Sequence, residues 1–304
     1  MRLACLVGPT AAGKTRMGVE VALALRDHGF APEIVSCDSM GVYRCLDIVA
    51  DKPTPDERCG VPHHLFDLVD PDESFTAVQY KQIARATIDD IVTRGGVAIL
   101  VGGSGLYFRA VVDELEFAPT SPKLRAQLET LDVDELFARL ERNDPERAAE
   151  IDPRNKRRIV RAVEVFELTG RPGSESRTTW ERGGGPYELT VAGLTWDRTE
   201  LLKRAEQRVQ REIDAGLVDE VRSVRNFSRT ASQALGVKEM IPVIGGTEPL
   251  ASASARLVKN TKNFVRRQMS WFRADARVEW FNASELGWDD ARSAIAAKFR
   301  DALS

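Results

Sequence analysis

The stretch that most constrains this chain is Leu3-Ala-Cys-Leu-Val7 running without a break into Gly8-Pro9-Thr10-Ala11-Ala12-Gly13-Lys14-Thr15. A short apolar run bounded by glycine reads as a buried strand. The eight residues after it fill the whole GxxxxGK[ST] pattern of a nucleotide-binding or ATP-binding phosphate loop. Its glycines let the backbone N–H groups curl into an anion nest. Lys14 adds a point charge for phosphate oxygens, and Thr15 can offer its hydroxyl to Mg²⁺. From Lys14 onward, apolar residues at helical spacing (Met17, Val21, Leu25) continue to Gly29, a natural helix stop. Strand, loop and helix therefore come in the order that aims a helix N-terminus at an anion. The expected fold class is α/β, a P-loop NTPase-like core with a mainly parallel sheet flanked by helices.

A second strand, Glu33-Ile-Val-Ser-Cys37, ends in Asp38-Ser39. In an open parallel sheet, ligands gather at the carboxyl ends of the strands. Asp38 is therefore expected in the same crevice as Lys14, as a general base or as a Mg²⁺ ligand through water; a turn-forming Asp-Ser is the plainer alternative. Leu65–Val69 reads as a short strand. The adjacent His63 and His64 point to opposite sides of any strand, which suits structural hydrogen bonds better than a metal. Thr76 caps a helix spanning 76–94. A third buried strand, Val97–Val101, ends in Gly102-Gly103-Ser104-Gly105, a second set of backbone donors opening another helix. No acid follows this strand, so the Walker-B position lacks its carboxylate. With Asp38 the only acid that a strand delivers beside the loop, a phosphate that leaves suits the site better than one passed on.

From about Glu116 the texture changes to alternating apolar and charged helical segments, at 121–131, at 134–142 and from Asp152-Pro153 onward. The expected organisation is 1–115 as the first part of the core, 116–190 as a helical insertion domain, and 191–304 as the rest of the core. Arg154, Arg157, Arg158 and Arg161 fall at i, i+3, i+4 and i+7 of the third helix, with no acid among them before Glu164. That spacing favours a polyanion contact over a merely solvated face. Gly170, Pro172 and Gly183-Gly-Gly-Pro186 read as a mobile or substrate-ordered loop. Beyond it follow a strand at 191–196, a helix at 199–215 carrying Arg204, Arg208 and Arg211, and a helix at 218–224. A basic and aromatic helix at 250–273, a strand at 277–281 and a helix at 287–302 close the chain. The formal charge of −3 does not itself advertise nucleic-acid binding, so that reading rests on local clusters. No apolar run of membrane-spanning length occurs, and the first strand leaves no room for a leader, so a cytoplasmic protein without membrane contact is expected. Cys5, Cys37, Cys45 and Cys59 lack metal-ligand spacing. The residues alone describe a P-loop enzyme with a helical insert and two basic surfaces, for which a small-molecule kinase is the first thought.

Several stretches taken together and in order resemble the tRNA dimethylallyltransferases (tRNA isopentenyltransferases) over almost the whole chain. They are Gly8–Thr15, Asp38-Ser-Met-Gly-Val-Tyr43, Asp51-Lys-Pro-Thr54, Gly60-Val-Pro-His-His64 and Gly102-Gly-Ser-Gly-Leu-Tyr107. Asp152–Arg158 with Arg161–Val165, Gly216–Val221 and Arg267-Gln-Met-Ser-Trp-Phe-Arg273 complete the set. The resemblance implies prenyl transfer from dimethylallyl diphosphate to the exocyclic N6 amine of the adenosine 3′-adjacent to the anticodon in tRNA. Gly8, Pro9, Thr10, Ala11, Ala12, Gly13, Lys14 and Thr15 would then hold the donor's diphosphate, with Mg²⁺ at Thr15. Asp38, Lys14, Ser104 and Arg208 would be catalytic. Asp38, Ser39, Met40, Gly41, Asn155, Lys156, Arg157, Arg158, Arg161 and Arg267 would contact the anticodon stem-loop, and the protein would act as a monomer. The family commonly has Gln where this chain has Gly41, Thr where it has Ser104, and often Tyr where it has Val237. Prenylation of free adenine nucleotide is the nearest alternative, although relatives of that kind lack a long basic insert.

Overall fold

A computed structural model describes residues 1–174 and 184–304. Gly183, the first residue of the glycine tract expected to form a loop, lies outside the described residues. Six strands, β1 (Arg2–Val7), β2 (Pro32–Cys37), β3 (His63–His64), β4 (Val97–Gly102), β5 (Glu188–Thr195) and β6 (Val278–Asn282), form one sheet in the order β3-β2-β4-β1-β5-β6. Every pairing is parallel. Helices cover both faces, which explains why the strands read as unbroken apolar runs rather than alternating ones. In β1, Leu3, Cys5 and Val7 enter one core while Ala4 and Leu6 enter the other.

Register decides what this sheet can do. Val7, Gly102 and Cys37 stand in one row across β1, β4 and β2. The residues that follow them, Gly8, Gly103 and Asp38, therefore leave the sheet at one level and on one edge. With β4 between them, β1 and β2 are separated by two strand spacings, about 10 Å.

The chain divides into two compact units, residues 1–112 with 186–304, and residues 113–185. The smaller is helical, with segments at Pro122–Thr130, Val133–Asn143, Pro145–Glu150 and Lys156–Thr169. It has its own core of Leu128, Leu136, Leu140, Ile159, Val160 and Val163. Side-chain caps from Ser121, Asp132, Asp144 and Asn155 start its helices. The last of them begins at Lys156 and not at Asp152. The Asp152 carboxylate accepts the Arg154 N–H at 3.0 Å, and the Asn155 side chain accepts the Arg158 N–H at 3.2 Å, so the chain turns before it winds. Arg154 is consequently off the helix and pairs with Asp152 at 3.2 Å.

Leu65–Val69 is likewise not the strand that its apolar residues predicted. Leu65 and Asp67 take left-handed backbone angles, φ 69° and 57°. Asp67 is drawn in by Lys52 Nζ at 2.6 Å, and its N–H donates to Gly41 O at 3.2 Å. The segment thus folds along the turn after β2, and only Val69 makes a bridge, to Tyr43.

Candidate active site

The phosphate loop is shaped by what grips it from outside. Gly8 has φ 147°, and a Cβ there would lie 2.4 Å from Leu194 O, so no other residue fits. Beyond it the carbonyls are bound one by one. Pro9 O accepts from Lys14 Nζ at 2.7 Å, Ala11 O from Arg204 Nε at 3.0 Å, and Ala12 O from Trp196 Nε1 at 2.9 Å. With carbonyls held outward, the intervening N–H groups are left to face an anion. Trp196 is itself fixed, with the Arg204 guanidinium 4.2 Å from its ring centroid and Trp288 stacked at 6.2 Å. Trp196→Phe keeps an aromatic face for Arg204 and Trp288 while losing the N–H donor and part of the ring surface. It is expected to weaken diphosphate binding about fivefold, the worth of one hydrogen bond, as read by calorimetric titration.

Lys14 is half-buried within this frame. Burial lowers its ammonium pKa to about 8, opposed by the Asp38 charge and reinforced by Arg208. Arg208 reaches in from the helix Arg198–Asp214, where Nη1 donates to Thr10 Oγ1 at 2.7 Å and pairs with Asp51 at 3.2 Å. Its Nε donates to Glu212 at 2.6 Å. Burial acts to discharge this guanidinium, but Asp51 and Glu212 together hold its pKa above the usual value.

Across β4, Asp38 is half-buried, and its Oδ1 accepts the N–H groups of Met40 at 2.7 Å and Gly41 at 3.3 Å. Among the described residues Oδ2 has no hydrogen-bond partner, so one oxygen builds the turn and the other is left unpaired. The glycines between the two sites serve close approach. A Cβ on Gly102 would lie 2.1 Å from Cys37 O, and one on Gly103 would lie 2.5 Å from Gln268 Nε2. Within this tract the Ser104 N–H is spent on Cys37 O at 3.2 Å. Ser104 itself stands half-buried just before the helix Gly105–Val112.

The family model for IPP transferases matches residues 41–275. This chain belongs to the IPP transferase family. The tRNA dimethylallyltransferase of Thermobifida fusca is 46% identical over 291 residues, covering 92% of this chain and 90% of that protein. That of Bifidobacterium longum is 40% identical over 301 residues, 97% of this chain and 91% of the relative. The crystal structure of the full-length tRNA isopentenylpyrophosphate transferase from Bacillus halodurans is 36% identical, with a TM-score of 0.72 over 99% of this chain and 96% of that one. The core is thus the P-loop NTPase-like fold of this family, and the chain is a transferase of the prenyl-transferring kind.

This IPP transferase keeps its remaining expected site residues in several places. Ser39 and Met40 lie in the Asp38 turn, and Gly41 lies under the Phe66 ring, 3.2 Å from an added Cβ. Any larger side chain at 41 must displace that ring. Arg267 is exposed and sits 5.5 Å from the Phe264 ring centroid. In the smaller unit, Asn155 is the helix cap, and Lys156 Nζ donates to Leu131 O at 2.6 Å. Arg161 is taken up by Glu164 at 2.7 Å and by the carbonyls of Pro119 and Ala118 at 2.8 Å. Arg161 thereby also braces the buried Glu164. Arg157 and Arg158 are exposed and have no partner among the described residues.

Sequence reasoning missed Gln268, Trp196, Arg204, Asp51 and Glu212. For Gln268 a signal existed, because Thr261, Val265, Gln268 and Phe272 form the buried stripe of the Leu250–Arg273 helix. An amide in such a stripe must satisfy its polar atoms on something. For a divalent cation, the described residues contain no cluster of three acidic, histidine or cysteine ligands. The exposed Thr15 hydroxyl at the first turn of the Lys14–Asp27 helix fits Mg²⁺, an ion that binds few protein groups and takes phosphate oxygens and water for the rest.

Proposed function

We propose that this protein transfers the dimethylallyl group of dimethylallyl diphosphate to the exocyclic N6 amine of the adenosine 3′-adjacent to the anticodon in tRNA, releasing diphosphate. One observation carries the reading. A phosphate cradle and a carboxylate with a free oxygen leave the same edge of the sheet, separated by β4, a span of about 10 Å. That gap suits an allylic group and a purine amine held end to end.

In the reaction the allylic C–O bond breaks, its electron pair leaves with diphosphate, and the amine nitrogen bonds the freed carbon. Asp38 Oδ2 takes the proton that the nitrogen sheds. Lys14, Arg208 and the loop amides meet charge that grows on the departing diphosphate. Bound Mg²⁺, at Thr15, would neutralise part of that charge. Ser104, two residues past the end of β4 and just before the helix Gly105–Val112, would orient substrate through its hydroxyl. The adenine must leave its stack to reach Asp38. Ser39, Met40 and Gly41 contact the neighbouring nucleotides, while Asn155, Lys156, Arg157, Arg158, Arg161 and Arg267 bear on the anticodon stem-loop. The helical unit is the insertion domain for tRNA contact, and the protein acts as a cytoplasmic monomer.

Incubating the protein with dimethylallyl diphosphate, Mg²⁺ and unmodified tRNA, followed by nucleoside mass analysis, tests this directly. One C5H8 unit gained on adenosine is expected; gain on free adenine nucleotide alone, or ADP formed from ATP with a phosphorylated small molecule, overturns it. Replacing Arg157 and Arg158 by Ala is expected to weaken tRNA binding and flatten its dependence on log salt by about 1–2. An unchanged slope in filter binding would leave these arginines as a solvated face.

A further inference from the structure

We infer that Gln268 sets how many phosphates the loop accepts, restricting the cradle to a diphosphate. The inference rests on the reading above, in which the loop takes the donor's diphosphate, and deepens it by naming the residue that selects this anion. Gln268 is 7% exposed, on the inner face of the Leu250–Arg273 helix. Its Oε1 accepts the Thr10 N–H at 2.8 Å, and its Nε2 donates to Gly103 O at 2.8 Å. One buried amide thus ties the first half of the phosphate loop to the end of β4.

The tie has a cost for any long phosphate chain. Pro9 has no N–H, and its carbonyl is held by Lys14. At Thr10 the N–H is spent on Gln268 and the hydroxyl on Arg208, which Asp51 and Glu212 hold in place. The Pro9–Thr10 end of the loop therefore offers no free backbone donor. The donors left to an anion are Lys14 and the amides from Ala11 onward, of which Ala12 is engaged only at 3.4 Å with Pro9 O. A third phosphate extending past them meets a spent amide. Taking that amide would strand the Gln268 oxygen in a buried site, and an unsatisfied buried polar atom is expensive. The glycine at 103 belongs to the same device, since a Cβ there would stand 2.5 Å from Gln268 Nε2.

The test is titration calorimetry of the full chain with inorganic diphosphate and with tripolyphosphate, in Mg²⁺-free buffer. The unsubstituted protein is expected to bind diphosphate more tightly. Gln268→Ala frees the Thr10 N–H, and the preference should narrow about tenfold, equivalent to ~1.4 kcal/mol. Gly103→Ala places a Cβ 2.5 Å from Gln268 Nε2 and also 3.0 Å from Gly8 O and 3.4 Å from Lys14 Nζ, so diphosphate affinity itself should fall, but the ratio should still shift in the same direction. Thermal melting establishes that each variant is folded; if Gln268→Ala is not, Gly103→Ala decides. An unsubstituted protein that binds tripolyphosphate as tightly as diphosphate overturns the inference. So do folded variants in which both affinities change by one common factor. The probes carry no prenyl group, so this result is separate from the transfer assay: a sound phosphate preference without prenyl transfer sinks only the proposed reaction.

Discussion

Asp38→Asn is expected to slow prenyl transfer by roughly 10²–10⁴-fold, the range for loss of a positioned general base, with tRNA affinity changed little. The substitution is chosen because Asp38 has two tasks. Oδ1 holds the turn through the N–H groups of Met40 and Gly41, and an Asn oxygen accepts those bonds equally well. Only the basicity of the second oxygen is lost. Asp38→Ala removes both functions and confounds chemistry with a disturbed turn. One side effect can be foreseen: the Asp38 charge is the main influence raising the Lys14 pKa against burial. Its neutralisation makes Lys14 easier to discharge, so donor affinity in Asp38→Asn should weaken at a lower pH than in the unsubstituted protein. Single-turnover rates at saturating tRNA and donor separate the two effects. A variant retaining more than a tenth of the rate, or losing tRNA binding while still turning over, removes Asp38 from the chemistry.

The sequence made the core of this site legible because a few strong local rules happened to agree. Gly8, Gly13, Lys14 and Thr15 sit at fixed spacing after an apolar strand, and the rule that parallel strands deliver ligands at their carboxyl ends placed Asp38 beside them. The long helix Ala77–Thr93 was equally plain from its Thr76 cap and apolar stripe, and Leu250–Arg273 from its interleaved basic and aromatic residues. What stayed hidden depends on tertiary contact. Ala11 O and Ala12 O are gripped by Arg204 and Trp196 from nearly two hundred positions away in the chain. No local pattern announces such a bond. Leu65–Val69 misled because a short apolar-rich run says nothing of the Lys52–Asp67 pair that bends the backbone. The ion pairing of Arg161 was hidden for a related reason. Spacing put it on a face with Arg157 and Arg158, while one turn further Glu164, fully buried, accepts from Arg161, Arg125 and the Ser121 N–H.

Replacing Lys14 by Met is expected to lower kcat/KM for the prenyl donor by about 10²–10³-fold, comparable to loss of a preorganised donor at a site of growing charge. The pH dependence identifies the cause. Burial lowers the ammonium pKa to about 8, outweighing the attraction of Asp38. An anion binds the charged form better, so proton uptake accompanies binding wherever Lys14 is neutral beforehand. Donor affinity should therefore be level on this account below pH 8 and fall by up to tenfold per unit above it, until the pH passes the raised pKa of the lysine in the complex. Arg208 contributes no such break, since Asp51 and Glu212 keep it charged throughout. In Lys14→Met the break near pH 8 must vanish while any titration of the donor itself remains. A break that survives the substitution assigns it to another group. A flat profile between pH 7 and 9 in the unsubstituted protein means that Lys14 is not held in the half-buried, partly discharged state from which its contribution follows. The magnitude of the Met effect discriminates as well. A loss of only a few fold would leave the loop amides and Arg208 as sufficient anchors for the diphosphate, and would reduce Lys14 to the strut that holds Pro9 O at 2.7 Å.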